Sequence, residues 1–203
     1  FNIEDFLPSA LEPNVREGKI YMLPAIVDVM ILAYRKDLFE NPEEQQAFEE
    51  QYGYALAPPT TTDEWLDMAE FFTRDTTGDG QIDQFGFGMG QKDPAGHFWP
   101  WHAVLTFGAR VFDGEEYVAT LDDPRTFAAF EWMLEMQEYM PTGIMDVGFQ
   151  EEAVLFMEGR LAMAPVHGMQ APQMLDPEFT EFHENVGFVA YPRYPDNQRG
   201  LRT

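Results

Sequence analysis

An α/β fold follows from three observations. Segments with strand character alternate with helical segments along the whole chain. The longest apolar run, from Pro24, is interrupted once by a carboxylate, Asp28, closes on Tyr34-Arg35-Lys36-Asp37-Leu38-Phe39, and reads as a strand covered on both faces. The stretch from Thr61 to Phe72 carries helix-start chemistry followed by a one-sided apolar pattern. Together they predict a mixed sheet flanked by helices.

Taken in order, Glu4 to Leu11 reads as a short helix, and residues 19–23 and 29–35 as strands. Residues 43–51 form a charged helix closed by Gly53. Thr61 caps the next helix, with Glu64 three residues on completing a capping box. Its buried face is Trp65, Met68, Ala69 and Phe72. Residues 75–83 are a Gly/Asp loop, Phe85 to Met89 a strand, and the aromatic segment from Pro94 to Phe107 becomes helical after Pro100. Asp123 and Pro124 start a helix whose broad apolar stripe takes in Phe127, Phe130, Met133, Leu134, Met136 and Met140. A helix over 149–158 stops at Gly159. Strands at 161–166 and 186–190 enclose a turn at His167–Gln170 that opens a short helix.

Composition narrows the function. The 203 residues are 45% hydrophobic and 15% aromatic, which fits a packed fold rather than a disordered chain. Asp plus Glu number 36 against 12 Lys plus Arg, for a net charge of −24. Such a field repels nucleic acid and anionic membrane surfaces. The acid is dispersed rather than gathered in a tail, and lysine is scarce, a pattern suited to high salt where screening removes self-repulsion. Without cysteine there is no disulfide, thiolate nucleophile or cysteine zinc site. No segment has the apolar length of a membrane span, and no signal peptide opens the chain.

Four stretches carry a resemblance. Lys19 to Pro24, then Asp28, then Tyr34 to Phe39 is similar to the middle of a family 1 extracellular solute-binding protein, the sugar-type binding subunit of ABC importers. Pro58-Pro59 through Trp65 resembles that family's Pro-Pro-x-Thr-Trp-Asp-Glu signature, with Thr62 where a Trp usually sits. Phe156 to Met163 and Val186 to Pro192 resemble two further signatures. The ordered set covers roughly residues 18 to 193. The resemblance implies a type II periplasmic-binding-protein-like lobe: residues 1–27 would end an N-terminal lobe and make the first hinge crossover, 28–190 would form the C-terminal lobe, and 191–203 would begin an incomplete return crossover. It further implies an extracytoplasmic, non-catalytic protein that hands a sugar or polyol to ABC permease subunits, with the chain a fragment of a two-lobe molecule.

Candidate ligand residues fall in three places. Asp28 reads either as a buried carboxylate with a structural partner or as an acceptor for sugar hydroxyls, since an ionised carboxylate makes short bonds to O–H donors. In the cluster His97-Phe98-Trp99-Pro100-Trp101-His102, aromatic faces suit the C–H faces of sugars, while core packing is the competing use. Neighbours on a helix diverge, so one or two of these reach a cleft; Trp99 and Trp101 lead, then His97. His167, Met169 and Gln170 lie at a strand end opening a helix, where α/β folds bind ligands. The family often carries Gly-x-Trp here, and this chain lacks that Trp.

Two other chemistries stay open. Asp75, Thr77, Asp79, Gln81 and Asp83 match the oxygen positions of an EF-hand loop, but Gly86 stands where its bidentate Glu belongs. The loop is therefore either a structural calcium site, as in a calcium-stapled interaction module, or an Asp/Gly turn bonded to its own backbone. No other cofactor is called for. No nucleophile, phosphate-loop or zinc motif indicates an enzyme, although so many carboxylates leave room for a glycosidase pair. The charge pattern makes one prediction: followed by circular dichroism, the fold should gain stability with added salt, and full stability in dilute buffer would overturn the high-salt reading.

Overall fold

The structure, a computed structural model, describes residues 2–25, 28–92, 98–112 and 118–195. The chain enters through a 3-10 turn (Ile3–Asp5), a one-turn helix α1 (Pro8–Leu11) and a small hairpin of β1 (Val15–Arg16) and β2 (Lys19–Ile20). Glu17 and Gly18 both hold positive φ in its two-residue turn, as such tight hairpins require. The strand expected over 19–23 thus shrinks to two residues.

Four strands make the main sheet: β3 (Met30–Arg35), β4 (Phe85–Phe87), β5 (Leu161–His167) and β6 (Val186–Ala190), in the order β4-β5-β3-β6. β3 runs antiparallel to both β5 and β6, while β4 is parallel to β5. Only Met30 to Arg35 of the long apolar run is strand. Lys36–Phe39 turns into a short helix, α2, Ile26 and Val27 lie outside the described residues, and Asp28 precedes the strand rather than interrupting it.

Helices cover both faces, which is why β5 is buried over six of its seven residues. On one face α3 (Pro42–Tyr52), α4 (Thr62–Phe72), α5 (Phe98–Thr106) and α6 (Pro124–Met136) bring Phe48, Trp65, Phe72, Trp99 and Met136 against Leu32, Phe87 and Met163. On the other, α7 (Phe149–Met157) and α8 (Ala171–Met174) bring Ala153, Phe156, Met157 and Met174 against Ala33, Ala164 and Val166. Along β3 the side chains alternate between these two cores, as a pleated strand requires.

Local signals behave as their chemistry dictates. Glu64 N–H donates to Thr61 Oγ1 at 3.3 Å and Thr61 N–H donates to Glu64 Oε2 at 3.1 Å, so the capping box closes. Trp65, Met68, Ala69 and Phe72 are all buried beneath it. α6 departs from expectation: Met133, Met136 and Met140 face the core, but Phe127, Phe130 and Leu134 are exposed. The stripe is broader than the contact the sheet offers, and Ala129 with Trp132 completes the buried face instead.

Gly86 decides how closely α4 approaches the sheet. A Cβ there would come 1.9 Å from the Ala69 carbonyl oxygen, a backbone atom that no side-chain rotation can move aside. Gly86→Ala is therefore expected to lower stability by roughly 3 kcal/mol in urea denaturation; an unchanged midpoint would refute the close packing.

Candidate functional site

Strand directions gather four chain segments at one end of the sheet. Because β3 is antiparallel to its neighbours and β4 parallel to β5, the entry to β3 and the exits of β4, β5 and β6 share that end. Asp28 and Val29, Gly88 to Gly90, His167 and Tyr191 therefore lie at one end of the sheet, the end at which α/β sheets bind ligands.

Asp28 and His167, separated by 139 residues in sequence, meet there because Met30 pairs with His167 in the β3–β5 ladder. His167 Nδ1 lies 2.6 Å from Asp28 Oδ2. Asp28 Oδ1 accepts from Val29 N–H at 2.9 Å and from Met169 N–H at 3.4 Å. The side chains are 25% and 18% exposed, so the pair is sheltered yet reachable. The carboxylate fixes which imidazole nitrogen faces it and so the orientation of the ring. Gly168 lets the turn close, with its N–H donating to Val29 O at 2.8 Å. Met169 stands 60% exposed beside the pair.

Two expected ligand residues have other tasks. Gln170 is buried, and its Oε1 accepts the His167 backbone N–H at 2.8 Å; it braces the turn rather than facing a ligand. Trp99 is fully buried, its ring tilted against Phe87 at 5.8 Å, because helix geometry sends it into the core. Trp101, two residues on, is 48% exposed. His97 lies outside the described residues.

Glu152 and Tyr191 were not anticipated. Glu152 is 3% exposed; its Oε2 accepts Gly90 N–H at 2.6 Å, and its Oε1 has no partner among the described residues. Burial pushes its pKa well above the usual carboxylate range, only partly offset by the Gly90 N–H. The Tyr191 hydroxyl is likewise enclosed without a partner, and burial, then the nearby Glu152, pushes its pKa far up. Helical periodicity holds the signal for Glu152, which shares the buried stripe of α7 with Ala153, Phe156 and Met157.

The EF-hand-like loop closes on its own backbone. Asp75 accepts N–H groups from Thr77, Gly78 and Gly80, at 3.0, 2.6 and 2.6 Å. The Gly80 amide foremost holds its carboxyl below the usual range. Asp79 accepts from Gln81 N–H, and Asp83 accepts from both Thr76 N–H and its hydroxyl. Asp75, Asp79 and Asp83 thus accept hydrogen bonds from the loop's own residues, and among the described residues no group of three or more histidine or carboxylate side chains converges.

A mixed sheet with helices on both faces, in this order, is the type II periplasmic-binding-protein-like fold, and solved structures share it. One is an ABC transporter solute-binding protein from Agrobacterium vitis with bound D-mannitol, with a TM-score of 0.72 and 23% identity, covering 95% of this chain and 43% of that one. Another, from Agrobacterium radiobacter in complex with ribitol, has a TM-score of 0.73 and 23% identity over 95% and 45%. A mannitol-binding protein of Pseudomonas aeruginosa is 26% identical over 200 residues, 95% of this chain and 41% of its own length. Residues 2–199 match the bacterial extracellular solute-binding protein family, and the chain belongs to it. The chain spans less than half the length of these relatives. Among the described residues no helix is long and apolar enough to cross a membrane.

The Asp28–His167 contact is testable apart from any ligand. Asp28→Ala is expected to cost about 1 kcal/mol and to speed hydrogen exchange at the Met169 amide. Unchanged exchange and an unchanged unfolding midpoint would show that the pair does not hold the turn.

Proposed function

We propose that this chain forms one wall of a cleft that binds a neutral polyhydroxylated solute, a sugar or acyclic polyol, in an extracytoplasmic protein serving an ABC importer. Residues 28–190 form the lobe, and the crossovers flanking it are the hinge by which a facing lobe would close. The observation that carries this reading is the Asp28–His167 pair at the strand-end crevice, with exposed Met169 and Trp101 on the same lobe. A carboxylate accepts hydroxyl hydrogens and an imidazole can accept or donate. An indole face and a thioether cover C–H surface. The role is retention rather than turnover, in keeping with a family of binding proteins.

A preference for acyclic polyols has two supports. Gln170 stands where the family's Gly-x-Trp would place its Trp, so this turn offers no flat stacking face for a pyranose, and the flexible Met169 beside it adapts to a solute without a rigid face. The similar proteins include one named for mannitol and structures holding mannitol and ribitol.

The test is a titration of the isotopically labelled chain with mannitol, ribitol, maltose and glucose, followed by nuclear magnetic resonance. Shifts are expected at Asp28, His167 to Met169 and the Trp101 indole, largest for the polyols and saturating in the millimolar range, because one wall supplies part of the contacts. No response to any of the four would reject the solute class. Nanomolar binding by this chain alone would reject the one-wall geometry.

A further inference from the structure

The buried acid of α7 has a use that packing alone does not explain. Its stripe neighbours Ala153, Phe156 and Met157 are apolar, and an apolar side chain at 152 would avoid burying a carboxyl. The carboxyl instead reaches out of the helix to one backbone group, Gly90 N–H, and among the described residues no ion pair reaches it.

That group belongs to the segment leaving the crevice end of β4. Two further contacts tie the same segment to the entry of α7. Lys92 N–H donates to Val147 O at 3.0 Å. Gly90 lies so close to the 147–148 backbone that a Cβ would come within 2.6 Å of Val147 O and 2.7 Å of Gly148 O. Beyond this anchor the chain proceeds to α5, which buries Trp99 and exposes Trp101. The anchor therefore holds the chain where it leaves β4, the strand beside β5, whose end carries His167.

We propose that Glu152 is a positioning residue: by latching Gly90 to α7 it sets the β4–α5 wall, so solute affinity depends on a side chain that does not touch the solute. The proposal rests on the solute-binding reading. Burial raises the carboxyl's pKa and so favours its uncharged form, in which it still accepts from the amide. Glutamine reproduces that shape and acceptor. Leucine removes the acceptor while relieving the buried carboxyl.

The test compares wild type with Glu152→Gln, Glu152→Leu and Gly90→Ala. In E152L the Gly90 and Lys92 amides should exchange about tenfold faster, and mannitol affinity measured at the Trp101 indole should fall about tenfold, the loss of one buried hydrogen bond. Thermal stability of E152L should match or exceed wild type, which separates positioning from structural support. E152Q should restore both exchange and affinity, and G90A should weaken binding as E152L does. Wild-type exchange and affinity in E152L overturn the proposal. If E152L does not fold, wild-type affinity in G90A overturns it. If wild type binds no polyol, the solute reading fails, while amide exchange in E152L and E152Q still decides whether the latch exists.

Discussion

The central position of β3 is the constraint on which the rest depends. It is hydrogen-bonded on both sides, to β5 and to β6, so one strand near the start of the lobe organises two that arrive more than 120 residues later. Leu32 and Ala33 are wholly inaccessible and face opposite cores. A slip of one residue would exchange these faces and also separate Met30 from His167. The register that builds the core is the same register that brings Asp28 to the imidazole. Core and crevice therefore cannot be specified independently.

The lower end of β3 is secured with equal economy of parts. Arg35 is buried, grips Asp37 through Nε at 2.7 Å and Nη2 at 2.5 Å, and lies 3.6 Å over the Phe182 ring. A bidentate carboxylate and an aromatic face together compensate for removing the guanidinium from water. Gly159, with φ of +78°, leaves room for this stack, since a Cβ would meet Phe182 at 2.5 Å and Arg35 Nη1 at 3.0 Å. At the other boundary, Thr62 N–H donates to Arg193 O and Arg193 N–H to Thr60 O, both at 3.1 Å, which ties the segment after β6 to the capped start of α4. The helix cap is thus also a mooring for the chain as it leaves the sheet.

Much of the fold was legible because its signals are local. The capping box at Thr61, the glycine stop at Gly53 and the apolar face from Trp65 to Phe72 involve residues within a few turns of one another, and propensity decides them. Asp28 and His167 were each recognisable as candidates, but not as partners: nothing local encodes a contact across 139 residues. The division between Trp99 and Trp101 was foreseeable in kind but not in assignment, because helix phase says that neighbours diverge and not which one meets the core. On α6 the apolar pattern overstated the buried face, leaving Phe127, Phe130 and Leu134 exposed. Glu152 was hidden in plain periodicity, one acid on an apolar stripe among many acids.

The exposed candidate groups share a construction. Each lies within two residues of a buried or hydrogen-bonded anchor. Trp101 follows Trp99, which is locked against Phe87. Met169 precedes Gln170, whose amide oxygen holds the His167 backbone. Asp28 adjoins Val29, whose N–H and carbonyl are both engaged in the turn. A solute-binding wall built this way loses little side-chain freedom when occupied, so weak hydroxyl and C–H contacts are not offset by ordering costs. Flexible, separately solvated groups of the same chemistry would give up much of their interaction energy to immobilisation. On the proposed function, the buried neighbours would contribute as much as the exposed groups, by holding geometry rather than by contact.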